Sequence, residues 1–295
     1  VTDLYRFHED PMASEPVLVV ALEGWIDAGG AAAQAVETLL AAVPHQTKVA
    51  TFDSDVLLDH RARRPTMHLV DGVNTGLTWP TIELVAAWDE REKDVLLLVG
   101  PEPDHNWPTF CTAVVDLAES LGVSFVIGLG AYPAPVPHTR PVQLSSTAST
   151  AELARRTGFI RGTLDVPAGV QAAIEREAAD RQMEALGIWA QVPHYAAGMP
   201  YPAAAAKLLE GLAEVAELHF PAEDLHRQAR ATEARLEALL ADSDEHRELV
   251  HQLELHVDQA VDPDDDALDD DGTIELRSGD ELAAEFERFL REQGD

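Results

Sequence analysis

The sequence predicts an α/β fold, a mostly parallel sheet covered by helices on both sides, with a helical appendage after it. Three observations carry that prediction. Apolar runs short enough for strands buried on both faces recur at 17–22, 95–100, 123–130 and 188–192. Helix-length segments with apolar residues at helical spacing lie between them. Beyond Pro221 the runs give way to acid-rich sequence with alternating four- and three-residue spacing, through Leu225, Ala229, Thr232, Leu236 and Leu239.

The opening unit is the clearest. The run 17–22 ends at Gly24-Trp25-Ile26-Asp27-Ala28-Gly29-Gly30, and an Ala-rich helix with Val36, Leu39, Leu40 and Val43 continues to Pro44. Strand, glycine-bearing turn and helix place Asp27 just beyond the strand's carboxyl end, where open α/β sheets bind ligands. The turn is neither GxGxxG nor a phosphate-binding Walker loop. Residues 4–7 read as an edge strand and 48–52 as a second strand. Asp53 caps a short helical piece at 56–60, and Arg61-Ala62-Arg63-Arg64 is the basic cluster. The spacing next predicts strands at 67–70 and 82–88, joined by a turn at 71–76.

The loop 101–108 follows the second buried strand and precedes a helix at 109–121. The run 131–141 is too proline-rich for a helix or a central strand. A short strand at 142–145, helices at 149–156 and 169–182, an irregular piece at 158–166 and a helix from Tyr201-Pro202 complete the body, 1–221. Residues 222–257 read as two helices in a hairpin, broken near Ser243, where Asp242 and Glu245 resemble a capping box. The stretch 258–271 holds eight aspartates in fourteen residues. That composition predicts an acidic flexible linker over 258–273. The segment 274–295 carries a second capping box, Ser278 and Glu281, before Phe286, Phe289 and Leu290. These three make a compact apolar face for a partner.

The chain has 295 residues, 53 acidic and 21 basic, for a net charge of −32. From Ala222 onward there are 24 acidic and seven basic residues, a net −17, so the charge is concentrated in the last quarter. Such a chain repels a phosphate backbone, and no nucleic-acid partner is expected. No run approaches the roughly 20 apolar residues that span a bilayer, and the first residues carry no signal-peptide pattern. The single cysteine, Cys111, suits a reducing cytoplasm.

Polar side chains lie after each buried strand: Asp27; Glu102, Asp104 and His105; Tyr132, His138 and Arg140; His194 and Tyr195. On a parallel sheet they share one edge and can converge on one crevice. The candidate ligand-binding set is therefore Gly24, Trp25, Asp27, Gly29, Gly30, Asp104, His105, His138, His194 and Tyr195. Carboxylates and imidazoles in one crevice can hold a metal or exchange protons. The alternative is structural: Asp27 as a helix cap, the glycines as turn formers, the rest as ordinary polar loops. No HExxH, CxxC or GxSxG spacing is present, and neither a metal centre nor a catalytic residue is assigned.

The segment Gly24-Trp25-Ile26-Asp27-Ala28-Gly29-Gly30 resembles the glycine–aspartate signature of the PAC2 family, relatives of proteasome assembly chaperones. Val95-Leu96-Leu97-Leu98-Val99-Gly100 and Trp189-Ala190-Gln191-Val192-Pro193-His194-Tyr195 fit the same pattern, and the resemblance, to actinobacterial members above all, covers residues 4–220. It implies a Rossmann-like three-layer α/β/α sandwich, no cofactor, and a non-enzymatic cytoplasmic role through protein–protein contact. The implied partners are further copies of the chain, as a trimer, and proteasome subunits or another protein. Eukaryotic and archaeal relatives dock on the proteasome ring by a hydrophobic–Tyr–X ending. The last residues here, Arg291-Glu292-Gln293-Gly294-Asp295, do not provide that ending. A nucleotide or small molecule in the strand-end crevice, bound or hydrolysed, is the competing expectation.

Overall fold

Alternation along the central strand sets the layers. In β2 (Val17–Glu23), Val17, Val19 and Ala21 point into one apolar cluster, and Leu18 and Val20 into another on the opposite face. A strand apolar on both faces must be covered twice, and helices do so. This computed structural model describes residues 4–24, 26–43, 46–157, 165–241 and 243–260.

Eight strands form the main sheet. They are β1 (Tyr5–Phe7), β2, β3 (Thr47–Phe52), β6 (Glu83–Trp88), β7 (Asp94–Pro101), β8 (Phe125–Ala134), β9 (Leu144–Ala148) and β10 (Ala185–Pro193). Their order is β1-β3-β6-β7-β2-β8-β10-β9. The central four, β7-β2-β8-β10, are mutually parallel, and the outer pairings are antiparallel. Following those pairings outward, β3 shares the direction of the central four, so five of the eight strands run one way. The sheet is therefore mixed and mostly parallel.

Helix α1 (Ala31–Ala42) packs with α6 (Pro202–Ala216) over one face, and α3 (Trp107–Ser120) with α5 (Val170–Asp180) over the other. Short helices α2 (Ser54–Leu57) and α4 (Ala151–Arg156) fill the connections. Cys111 is buried in α3, and burial pushes its thiol pKa up to about 12, so it is a small hydrophobe rather than a nucleophile. Past the body, α7 (Glu223–Ala241) packs on α6, and α8 (Asp244–Ala260) packs back on α7.

Three expectations need correction. The turn is at Asp71-Gly72 rather than 71–76: β4 (Thr66–Val70) pairs with β5 (Val73–Thr78) in a separate two-stranded ribbon, and β6 is another element. Asp71 and Gly72 have φ of 50° and 80°, the two left-handed residues of a tight hairpin turn. Second, β8 runs on through Tyr132-Pro133-Ala134. Proline is tolerated at 133 because β2 pairs with β8 only as far as Gly128, and past the single Asp27–Ala131 bridge β10 is the paired strand. Third, α8 is helical to Ala260, three residues into the stretch read as linker. The remainder of that stretch, and Phe286, Phe289 and Leu290, lie outside the described residues.

Candidate functional site

Two of the acids at the carboxyl ends of the strands, Asp27 and Glu102, serve as helix caps. Asp27 lies before a 3-10 turn, Ala28–Gly30, that leads into α1. Its Oδ1 accepts from the Ala32 N–H (2.8 Å) and its Oδ2 from the Ala33 N–H (3.0 Å), which satisfies donors that the first turn leaves unpaired. Burial raises the Asp27 pKa against the opposing pull of these bonds. Gly29, at φ 65°, sits directly under Tyr201: a Cβ there would lie 2.5 Å from the Tyr201 Cβ. The Gly29 N–H donates to the Ala197 carbonyl (2.8 Å) and the Tyr201 N–H to the Gly29 carbonyl (2.9 Å). The glycine turn is thus bolted to the start of α6 instead of framing a phosphate.

Glu102 occupies the position where the sheet order reverses around β2. Its carboxylate is buried, accepts from the Val170 N–H at the start of α5, and abuts Gly24 and Gly169. Asp104 and His105 face elsewhere. Asp104 Oδ2 accepts from the Asp59 N–H (2.8 Å) and meets Arg63 Nε (3.2 Å), while the backbone N–H groups of Asp104 and His105 both donate to the Leu57 carbonyl. These two residues tie down the segment 57–63 that leads to the β4–β5 ribbon.

His138, His194 and Tyr195 do assemble, at the other end of the edge. The Tyr195 hydroxyl accepts from the His138 backbone N–H (2.8 Å) and lies 2.8 Å from His138 Nδ1. With the hydroxyl as donor to Nδ1, the neutral imidazole carries its own proton on Nε2. That Nε2 is buried without a hydrogen-bond partner. Burial lowers the His138 pKa, opposed by the carboxylates of Glu237, Glu233 and Glu254. Burial also pushes the Tyr195 phenol up to about 12. The His194 and Tyr195 rings meet edge-on, centroids 5.3 Å apart.

Helix α8 lies against this cluster. Arg140 donates through Nε and Nη2 to the two carboxylate oxygens of Asp258 (2.8 and 2.7 Å) and through Nη1 to Glu254 (3.2 Å), which also accepts from Thr139. The planar fork suits such a bidentate grip. The candidate residues therefore do not converge on one crevice. Asp27, Gly29, Gly30, His138, His194 and Tyr195 lie toward α6–α8, Gly24 borders Glu102, Asp104 and His105 support the ribbon, and Trp25 is outside the described residues. Sequence reading missed Tyr201, Glu254 and Asp258. Their contacts to Gly29 and Arg140 bridge long separations, and no local pattern signals them. Among the described residues no group of three or more His, Cys, Asp or Glu side chains is placed to hold a metal ion, and no helix is long and apolar enough to cross a membrane.

The family model described as "PAC2 family" matches residues 21–240. The chain belongs to the PAC2 family. Among solved structures it is similar to a protein of unknown function from Corynebacterium glutamicum. The two share 32% identity at a TM-score of 0.82, over 88% of this chain and 98% of that one. A Mycobacterium tuberculosis proteasome-assembly chaperone homologue shares 34% identity at a TM-score of 0.73, over 79% of this chain and 99% of that one. A Pyrococcus furiosus archaeal proteasome activator has the same fold at 15% identity and a TM-score of 0.62, over 80% of this chain and 97% of that one. No curated protein sequence matches the chain. In this member Asp27 and Gly29 form a structural joint, the one as a cap and the other as a contact with Tyr201.

Proposed function

We infer that the protein works in the cytoplasm as a non-enzymatic, self-associating member of the PAC2 family. It acts by protein–protein contact in the manner of an assembly chaperone, with proteasome subunits or another protein as partner. The observation that carries this reading is the use of the strand-end carboxylates. Asp27, Glu102 and Asp104 are committed to backbone N–H groups, so the edge where an α/β enzyme keeps its acid and base is spent on architecture. The relationship to a protein named as a proteasome-assembly chaperone homologue gives the class of role. The test is affinity capture of the protein from its native cytoplasm. Recovery of proteasome subunits, or of one other stable partner, is expected. Recovery of neither contradicts the reading.

One observation favours the competing role, a nucleotide or small molecule bound or hydrolysed at the strand ends: the buried, unpaired Nε2 of His138. A thermal-shift series with nucleotides and divalent cations separates the two. A ligand at 100 times its dissociation constant adds about 2.7 kcal/mol, so a binder raises the melting temperature measurably. The contact reading predicts no shift with any of them.

A further inference from the structure

We propose that a hollow at the amino-terminal edge of the sheet is a seat for an organic cation, the side chain of a lysine or arginine on another protein. The seat itself specifies the cation; that a protein supplies it rests on the contact role inferred above. Trp88, the last residue of β6, pairs with Asp94, the first of β7, so the turn between them lies at the opposite edge from the strand-end carboxylates. Ala42 ends α1, and Phe220 follows α6. With Trp88, Asp89, Glu90 and Glu92 these two residues line a hollow of about 270 Å³. Pockets that enclose drug-sized ligands run to roughly 300–1,000 Å³, so this one suits a single long side chain.

Two of its walls are aromatic. Phe220 belongs to the core, while Trp88 is 42% exposed. Three acids complete the lining, and the turn divides them. Asp89 is buried, and its carboxylate is engaged: Oδ1 accepts from the Arg91 and Lys93 N–H groups (2.8 Å each) and Oδ2 from the His219 N–H (2.8 Å). It fixes the shape of the rim. Glu90 and Glu92 are exposed, and among the described residues neither carboxylate has an ion-pair or hydrogen-bond partner. The cations of the same turn are placed elsewhere. Lys93 Nζ donates to the Ala216 carbonyl at the end of α6 (2.7 Å), and Arg91 does not line the hollow.

These features ask for one kind of occupant. An aromatic face attracts an ammonium or guanidinium through its quadrupole, and tryptophan does so most strongly. A neutral apolar occupant would strip water from Glu90 and Glu92 and return nothing, whereas a cation compensates them. The end of α1 adds the negative pole of a helix, and its last turn holds no basic residue. At the neighbouring helix end the chain meets the same demand itself, with the Lys93 ammonium on α6. The hollow offers the equivalent place, at α1, to a cation from another molecule. A lysine or arginine stem can lie along the two rings while its charge stays at the acidic mouth. The −32 charge of the body draws such a partner in.

The test is a titration of the protein, followed by NMR at the Trp88 indole N–H, the signal missing from Trp88→Phe. Both n-butylammonium and a capped Gly-Gly-Lys-Gly-Gly peptide are expected to shift it, and the same peptide with its lysine acetylated is not. Glu90→Gln with Glu92→Gln alters exposed side chains only, so the melting curve should stay that of the wild type. It is expected to weaken the lysine peptide about tenfold, and added salt should narrow that gap. Trp88→Leu, read by calorimetry, should weaken it about fivefold. No shift with either cation, or an equal shift with the acetylated peptide, overturns the seat. Wild-type affinity in the glutamine variant overturns it as well. Butylammonium that binds where the lysine peptide does not overturns a protein as the source and leaves a free amine. A peptide that binds while affinity capture recovers no partner contradicts the contact role and leaves the cation seat standing.

Discussion

Strand β2 reads Val17-Leu18-Val19-Val20-Ala21-Leu22-Glu23, and ribbon strand β4 reads Thr66-Met67-His68-Leu69-Val70. Both are rich in branched aliphatic residues, yet Leu18 is 1% exposed and Leu69 57%. The difference lies in the segment that comes after each strand in the chain. A helix-forming segment after β2 returns to cover one of its faces, and its parallel neighbours bring further helices to both. After β4 comes a two-residue turn, so among the described residues its only strand partner is β5, and no helix there returns over the pair. Apolar sequence thus marks surface that must be covered, while the connections decide whether the cover lies within the chain. In this protein the sheet is covered on both faces, and the ribbon, among the described residues, is covered on neither.

Five expected outcomes put that contrast at risk. The largest effect falls in the sheet. Leu97 in β7 is fully buried, and Leu97→Ala should cost about 2–5 kcal/mol by chemical denaturation. Next is the joint between the glycine turn and α6. Gly29→Ala places a methyl group 2.5 Å from the Tyr201 Cβ at a φ of 65°, and the left-handed backbone alone costs about 1–2 kcal/mol. Denaturation should show at least that loss. Removing the α1 cap by Asp27→Ala should cost about 1 kcal/mol, with no change in any association the protein shows.

The fourth outcome is a pH dependence. Burial holds the folded His138 pKa below its ordinary value of 6.5. The unfolded chain therefore takes up the proton more readily. This contribution to stability is accordingly full above 6.5 and is lost as pH falls toward the folded value. The groups facing the ring are Tyr195, Glu233 and Glu237 of α7, and Glu254 of α8. Between about pH 7.5 and 5.5 the wild type should lose more stability than His138→Gln, whose side chain does not titrate. Equal losses would mean that His138 is solvated. The smallest effect belongs to the ribbon: Leu69→Ala should leave the stability of dilute protein within about 0.5 kcal/mol. Since Leu97→Ala removes the same atoms, the pair of values measures the contrast directly.

How legible these features are in sequence depends on the range of the interactions behind them. Strands β2, β7, β8 and β10 stand out as apolar runs, because burial on both faces removes the need for polar alternation. Strand β5, Val-Asn-Thr-Gly-Leu-Thr, hides within a stretch read as a turn, since its glycine and asparagine look like turn residues and its exposure removes the apolar pattern. The extension of β8 through Pro133 is obscured by a rule that holds for strands paired on both sides and lapses where the pairing with β2 stops. At the candidate site, the position of Asp27 at a strand end is readable, and its capping role stands among the alternatives. The separation of Asp104 and His105 from His138, His194 and Tyr195 is not readable, because it depends on which strand end each loop turns toward. Nor is the Arg140 grip on Asp258, which joins residues 118 positions apart.

If the connections, rather than the apolar sequence, decide what is covered within the chain, the ribbon and the central strand must differ in protection. Hydrogen exchange on the protein at low concentration tests that point most directly. Amides of β2 are expected to stay protected, while those of residues 66–78 exchange fast. Ribbon amides as well protected as those of β2 would contradict it.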